Sequence, residues 1–188
     1  MRYSIIGALA VLGFSGAAPA AESYTLDPDH TFPRFEISHL GFSTHHGQFN
    51  KTAGKLTLDR AAKTGSVEIT VDTASIGTGD PALEKHLRSD DFFNIAKFPT
   101  MTFRSRAFKF DGEVPVAAAG ELTLLGVTRP LTLTISRVKC GPHPVLKKEE
   151  CGAEVSGTLK RSEFGMKAYV PLIGDEVTLH IQVEAYRD

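Results

Sequence analysis

The side chains best suited to chemistry in this chain are seven histidines, His30, His39, His45, His46, His86, His143 and His180, and two cysteines, Cys140 and Cys151. A metal centre needs three or four such donors converging on one point, and no HExxH pair places two imidazoles on one helical face. His45 and His46 are adjacent, so in an extended segment they point to opposite sides. Nucleophilic hydrolysis has no G-x-S-x-G elbow, and no carboxylate pair is placed by spacing for acid–base work. The expectation is a protein that binds rather than catalyses, with no catalytic residues, no metal ligands and no cofactor. A metal-dependent enzyme is the rival class.

The cysteines flank the Gly/Pro-containing run GPHPVLKKEE. How they read depends on compartment. Residues 1–20 carry Arg2, a small and apolar stretch from Ile5 to Gly16 and Ala18-Pro19-Ala20, which is the three-part pattern of a cleaved secretory signal. Its apolar stretch is shorter than the roughly 20 residues a membrane span needs. The expected division is a signal peptide over 1–20 and one domain over 21–188, a length that fits one domain of roughly 100–200 residues. In an exported chain an isolated pair such as Cys140 and Cys151 most simply forms a disulfide between two strand ends, worth on the order of 2–3 kcal/mol. Metal binding by Cys140, His143 and Cys151, or a redox pair, are the alternatives.

With 21 Lys and Arg against 22 Asp and Glu the net charge is −1, which offers nothing to a polyanion. Nucleic acid is therefore not an expected partner. The chain has 12 Phe and no Trp, and the aromatics gather at 32–49, 92–110 and 164 without forming a basic stacking face.

Positioning these groups falls to strands. Pro33, Phe35, Ile37 and His39 alternate with Arg34, Glu36 and Ser38, the period of two that a half-buried strand requires. The same alternation recurs at 55–59, 67–72, 101–104, 131–135 and 177–184. Strands are expected at 34–40, 47–59, 66–72, 100–110, 116–125, 128–139, 151–160 and 176–186. Turns are expected at Lys63-Thr64-Gly65, Asp111-Gly112-Glu113, Leu125-Gly126-Val127 and Ile173-Gly174-Asp175. Eight antiparallel strands with one apolar face bury it by closing into a barrel that can hold one ligand. A two-sheet sandwich is the runner-up.

Helix signals fall between the third and fourth strands. Asp80 is an N-cap ahead of Pro81, Ser89 a second cap ahead of Asp90 and Asp91, and Pro99 ends the excursion. Leu83 and Leu87 share one helical face, Phe92 and Ala96 another, while Phe93 lies one residue off that stripe. The segment reads as a greasy flap that either plugs one end of the barrel or gates a ligand.

Taken in order, these pieces resemble the YceI-like, or polyisoprenoid-binding, family. They are Asp29-His30-Thr31, Phe35-x-Ile37-x-His39-x-Gly41-Phe42, Gly47-Gln48-Phe49, Ala74-Ser75-Ile76-Gly77-Thr78 and His86-Leu87-Arg88-Ser89-x-Asp91-Phe92-Phe93. After them come Phe98-Pro99-x-Met101-Thr102-Phe103, Gly120-Glu121-Leu122-Thr123-Leu124-x-Gly126-Val127-Thr128 and Arg161-Ser162-x-Phe164-Gly165. The resemblance covers essentially all of 21–188. It implies an all-β, eight-stranded, lipocalin-like antiparallel barrel in the periplasm, whose lumen holds a long-chain isoprenoid, quinone, polyprenyl phosphate or fatty-acid derivative. It also allows a homodimer in which flaps or strand edges meet. The family often has Ser where Thr31 stands and an aliphatic residue in place of Pro33, and the proline puts regular pairing at the start of its strand in question.

For the ligand-binding wall the apolar faces offer Phe35, Ile37, Ile69, Val71, Met101, Phe103, Leu122, Leu133 and Phe164, joined by Leu83, Leu87, Phe92 and Phe93 from the flap. His39, His86 and Arg88 are the donors expected near a polar head group. Arg88 has a second reading as an ion-pair partner of Glu84, four residues earlier. At roughly 0.8 kcal/mol per buried CH₂, a chain of about forty carbons nominally gains over 30 kcal/mol, beyond the observed ceiling of about 18–21 kcal/mol. Area therefore does not set the affinity, and selectivity among tails stays at about 1–3 kcal/mol per methylene. A secreted scaffold with a solid interior is the remaining alternative.

Overall fold

A computed structural model describes residues 21–188. The expected secretion signal lies outside the described residues. Among the described residues eleven strands form a single antiparallel sheet: β1 (Glu22–Leu26), β2 (Phe32–His39), β3 (Ser43–Phe49), β4 (Thr52–Asp59), β5 (Thr64–Asp72), β6 (Ile76–Gly77), β7 (Thr100–Asp111), β8 (Val114–Leu124), β9 (Val127–Pro142), β10 (Glu149–Lys160) and β11 (Ile173–Arg187). The helix α1 spans Pro81–Leu87. The strand order β1-β4-β5-β7-β8-β9-β10-β11, with β1 returning to β11, closes an eight-membered ring. Closure removes the unpaired edges that an open sheet would expose.

The expected barrel is present, with different bookkeeping at its start. The strand expected at 47–59 is two strands, β3 and β4, broken at 50–51. Sequence reading passed over β1 and β6. β1 and β2 act as one bent strand along β11: Tyr24 faces Arg187, Leu26 faces Ala185, Phe35 faces Leu179 and Ile37 faces Val177. Pro33 keeps its place in this register opposite Ile181. The bend at 27–31 is tied to β11, since Asp27 N donates to the Glu184 carbonyl at 2.9 Å and Thr31 Oγ1 donates to it at 3.1 Å.

On its other side the bent pair diverges. β4 stays with β5, Thr52 facing Val71, whereas β3 leaves and pairs only with β2 and the two-residue β6. The break at 50–51 is stitched to the segment after β5: Asn50 N and Lys51 N both donate to Ser75 Oγ at 3.1 Å. The flap at 73–99 fills the gap so opened.

Asp80 caps α1 as its type dictates, its carboxylate accepting from Ala82 N at 2.9 Å and Leu83 N at 3.3 Å. The second helix expected at Ser89 does not form. Ser89 Oγ is buried without a partner among the described residues, and successive turns carry the chain from Ser89 onward, with Phe93 N donating to the Leu87 carbonyl at 2.9 Å. These turns bury Phe92 and Phe93 side by side instead of on separate helical faces. Asp111-Gly112 and Leu125-Gly126 do make tight turns, with Gly112 at φ 59° and Gly126 at φ 73°, the left-handed region a hairpin turn demands. Ile173-Gly174-Asp175, expected as a turn, instead opens β11, where the register against β2 shifts between Ile173 and Val177.

Cys140 and Cys151 form a disulfide between directly opposed residues of β9 and β10, with Cα atoms 4.1 Å apart. Beside it sits a polar clasp. The buried Asp27 carboxylate accepts from His30 Nδ1 at 2.7 Å, Tyr186 OH at 2.8 Å and Asp29 N at 2.9 Å. Burial raises the Asp27 pKa, but hydrogen bonds from His30, Asp29 N and Tyr186 outweigh it and leave the group below the usual range. The hydrogen bond to Asp27 raises His30 and, with burial, pushes Tyr186 up to about 12.

Replacing both cysteines with serine is expected to lower stability by about 2–3 kcal/mol, the loop-closure value for so short a segment, with the far-ultraviolet spectrum of the barrel unchanged. Denaturant unfolding measures the difference. For the clasp, a raised histidine pKa adds stability that is fully present below about pH 6.5 and lost as pH rises through the raised value. The melting-temperature difference between the wild type and His30→Gln is therefore expected to be largest on the acid side of pH 6.5, above the range where Asp27 protonates, and to fade in alkali.

Candidate functional site

Because inward residues recur at every second position on each strand, they stack across the barrel in register. Ile69 and Val71 of β5 face Phe103 and Met101 of β7, Phe103 faces Leu122 of β8, and Ala118 of β8 faces Leu133 of β9. On the opposite side Phe35 and Ile37 face Leu179 and Val177. The walls do not meet. Between them lies a cavity of about 440 Å³, lined by these residues other than Ala118 and by Leu83, His86, Leu87, Phe92 and Phe93 of the flap. It is wide enough for the bound portion of a drug-sized or tail-like ligand, whose sites commonly measure about 300–1,000 Å³.

Two environments share the wall. Val71, Phe92, Phe93, Phe103, Leu122 and Leu133 are buried among other core side chains. Phe35, Ile37, Ile69, Leu83, Leu87 and Met101 are half-buried, their free sides turned to the lumen. The wall then runs outward to exposed Leu40, Tyr169 and Leu172, so the cavity opens at the end of the barrel where β2 turns into β3.

Aromatic contacts organise the flap side. Phe93 meets Phe49 edge-on at 5.4 Å, and Phe49 lies 6.0 Å from Phe35. His86 stands edge-on to Phe92 at 5.0 Å and to Tyr169 at 5.9 Å, while Phe92 stacks on Tyr169 at 6.2 Å. Opposite, His39 and His45 stack at 4.1 Å. Imidazoles, His39 and His86 among them, and a phenol are thus grouped around the mouth.

Two expected residues stand elsewhere. Arg88 is outside the cavity wall: its guanidinium donates to the Ala74 carbonyl at 3.0 Å, the Ile76 carbonyl at 2.8 Å and Glu84 Oε2 at 3.5 Å, hooking α1 onto β6. This is the ion-pair alternative with two backbone partners added. Phe164, in the 3-10 turn Arg161–Phe164, is 2% exposed and packs in the core without lining the cavity.

Sequence reading missed several wall residues. Val177, Leu179, Ile181 and Val183 alternate visibly in β11 and were legible as a lumen face. Tyr169 and Leu172 lie in a stretch with no periodicity. Arg161 stood in one of the family-like pieces without a role; it is 2% exposed, and its guanidinium donates to the carbonyls of Gly174, Met166, Ala168 and Ile173 at 2.8–3.2 Å. Burial lowers its pKa. Thr52 adds a second polar point, a wall hydroxyl with no partner among the described residues.

The histidines do not gather around the cavity as a metal set. His46 turns to Glu36 at 3.4 Å, away from His45, as adjacent strand residues must. Potential ligand atoms of Asp27, His30 and Glu184 lie within 4.8 Å of one another in the clasp, where the Asp27 oxygens already accept three hydrogen bonds. The thiols considered for a metal or for exchange chemistry are joined in the disulfide.

A closed antiparallel barrel with an apolar, flap-covered lumen is a lipocalin-like ligand-binding architecture. Comparison with known proteins makes the assignment specific: the YceI-like domain pattern matches residues 24–185, and the chain belongs to that family. It is 37% identical over 188 residues to Protein YceI of Escherichia coli O17:K52:H18, covering 98% of this chain and 97% of the relative. Among solved structures it is similar to BcnA of Burkholderia cenocepacia, with a TM-score of 0.71 and 21% identity over 85% of this chain and 98% of that one. A polyisoprenoid binding domain from Saccharophagus degradans gives a TM-score of 0.64 at 15% identity, over 89% of this chain and 99% of that one.

Gly47 permits this wall. A Cβ there would collide with the Cζ and Cε1 atoms of Phe35. Gly47→Ala is expected to swing the Phe35 ring from its place, at a cost of about 1–3 kcal/mol. Chemical denaturation reads the loss, and a hydrophobic dye displaced from the lumen reads the altered wall.

Proposed function

We propose that this protein is a periplasmic carrier that holds a long-chain isoprenoid or a similar amphiphile, such as a polyprenyl phosphate, quinone or fatty-acid derivative, in its barrel lumen. The observation that carries the proposal is the open cavity with apolar side chains on every wall and polar rings grouped at one end. Water in such a space forms few hydrogen bonds, and its replacement by hydrocarbon is favourable at about 25 cal/mol per Å² of apolar surface removed from water.

The division of the wall matches an amphiphile. A tail lies against Ile69, Met101, Leu122 and Leu179, while His39, His86 and Tyr169 meet the more polar end at the mouth. Thr52 offers one further hydrogen bond to a ligand atom within reach. The likeness of fold to a polyisoprenoid binding domain supports the ligand class, and the disulfide together with the signal-like residues 1–20 supports an oxidising compartment outside the cytoplasm. A binding role also accounts for imidazoles that face aromatic rings instead of a nucleophile.

Organic extraction of purified protein followed by mass spectrometry is expected to release a long-chain amphiphile in near-stoichiometric amount. Ile69→Trp, which puts an indole into the lumen, is expected to fold and to retain much less of it. Clean, monodisperse wild-type protein that repeatedly yields no lipid, and binds none when reconstituted with polyprenyl or quinone tails, would falsify the carrier.

A further inference from the structure

Most of the exposed apolar surface of this barrel is gathered in one place. Among the described residues eight large apolar side chains are exposed, and five of them, Leu40, Phe42, Tyr169, Val170 and Leu172, lie on two adjoining loops. Leu40 N donates to the Leu172 carbonyl at 2.9 Å, so the loops form one rim. Phe42 is 90% exposed and makes no part of the cavity wall, whereas Leu40, Tyr169 and Leu172 belong to both rim and wall. The apolar surface is therefore continuous from the outer tip to the lumen. Val114, Val145 and Leu146 sit on hairpins at the opposite end of the barrel.

We propose that this rim docks on a lipid bilayer, seating Phe42 and Leu172 among the acyl chains with the cavity mouth facing the membrane. The charge pattern favours that occupant. The segment 39–46, HLGFSTHH, and the segment 165–174, GMKAYVPLIG, contain no Asp or Glu, and Lys167 is their one Lys or Arg. Carboxylates flank the tip: Glu163 and Asp175 bracket the second segment, Asp175 accepting from Ser162 N at 2.9 Å and Oγ at 2.8 Å, and on the flap side Asp91 lies 3.6 Å from His86. A tip with no carboxylate and a single lysine suits the boundary between headgroups and hydrocarbon, where Tyr169 also belongs as an amphipathic ring.

A second copy of the chain fits less well. Burying all five side chains removes on the order of 600 Å² from one partner, below the roughly 800 Å² per partner of a standard interface. Docking concerns the rim, so it stands or falls apart from the identity of the cargo.

The chain has no tryptophan, so Phe42→Trp creates a single emitter at the tip and Val114→Trp a control at the other end. Added to phosphatidylethanolamine and phosphatidylglycerol vesicles, Phe42→Trp is expected to shift to the blue and to be quenched by brominated acyl chains, with Val114→Trp unchanged. Phe42→Ser is expected to weaken vesicle sedimentation about tenfold while extracting with as much cargo as the wild type, and sedimentation is expected to survive high salt. The docking proposal is overturned by wild-type protein that stays in the supernatant at all lipid concentrations. It is also overturned by a Phe42→Trp shift that appears without lipid and follows protein concentration, the mark of a second copy on the rim.

Discussion

The hollow in this barrel depends on one geometric constraint, the bending of two neighbouring strands at the same level. A regular eight-stranded ring is just wide enough for its own side chains to fill it. Here β1 and β2 bend at 27–31 and β3 and β4 break at 50–51, so β3 parts from β5 and leaves a gap. Backbone groups freed by the parting do not go unpaired: Asn50 and Lys51 bond to Ser75, Asp72 N donates to the Lys51 carbonyl, and β6 supplies two residues of ladder to β3. The flap is then held over the gap by Arg88, whose fork reaches the Ala74 and Ile76 carbonyls.

A hollow core gives up contacts that a solid one would have. Side chains such as Phe35, Ile69 and Met101 have neighbours on three sides and the lumen on the fourth, so dispersion and burial are both incomplete there. Compensation comes from the continuous ladder, from the covalent tie between β9 and β10, and from the densely buried group around Phe164, Met166 and Leu124. The same incompleteness makes the protein receptive: an apolar guest restores the contacts the walls lack.

The alternation of apolar and polar residues was enough to read the barrel, its antiparallel order and part of the lumen face, such as Phe35, Ile69 and Phe103, because a period of two is enforced by the pleat itself. Asp80-Pro81 was enough to start the helix. Ser89 was not, since three aromatic contacts and the need to bury Phe92 and Phe93 together override a local cap. β1 escaped notice because five residues carry too little pattern, and the break at 50–51 because Asn50 and Lys51 gain their partners only from Ser75, far along the chain. The role of Arg161, though not its place in a family-like piece, was illegible for the same reason. Its meaning lies in four carbonyls brought to it by tertiary structure.

That arginine has a consequence for how the molecule ages in acid. A guanidinium bonded to amide oxygens involves no group that titrates anywhere near physiological conditions, and its lowered pKa still leaves it charged. The doorway framed by Met166, Ala168, Ile173 and Gly174 thus keeps its fastening after Asp27 takes up a proton and the clasp at 27–31 slackens. Acid reaches the lip only through Asp175, whose bonds to Ser162 N and Oγ at 2.9 and 2.8 Å lie beside the guanidinium and not among its four carbonyl bonds.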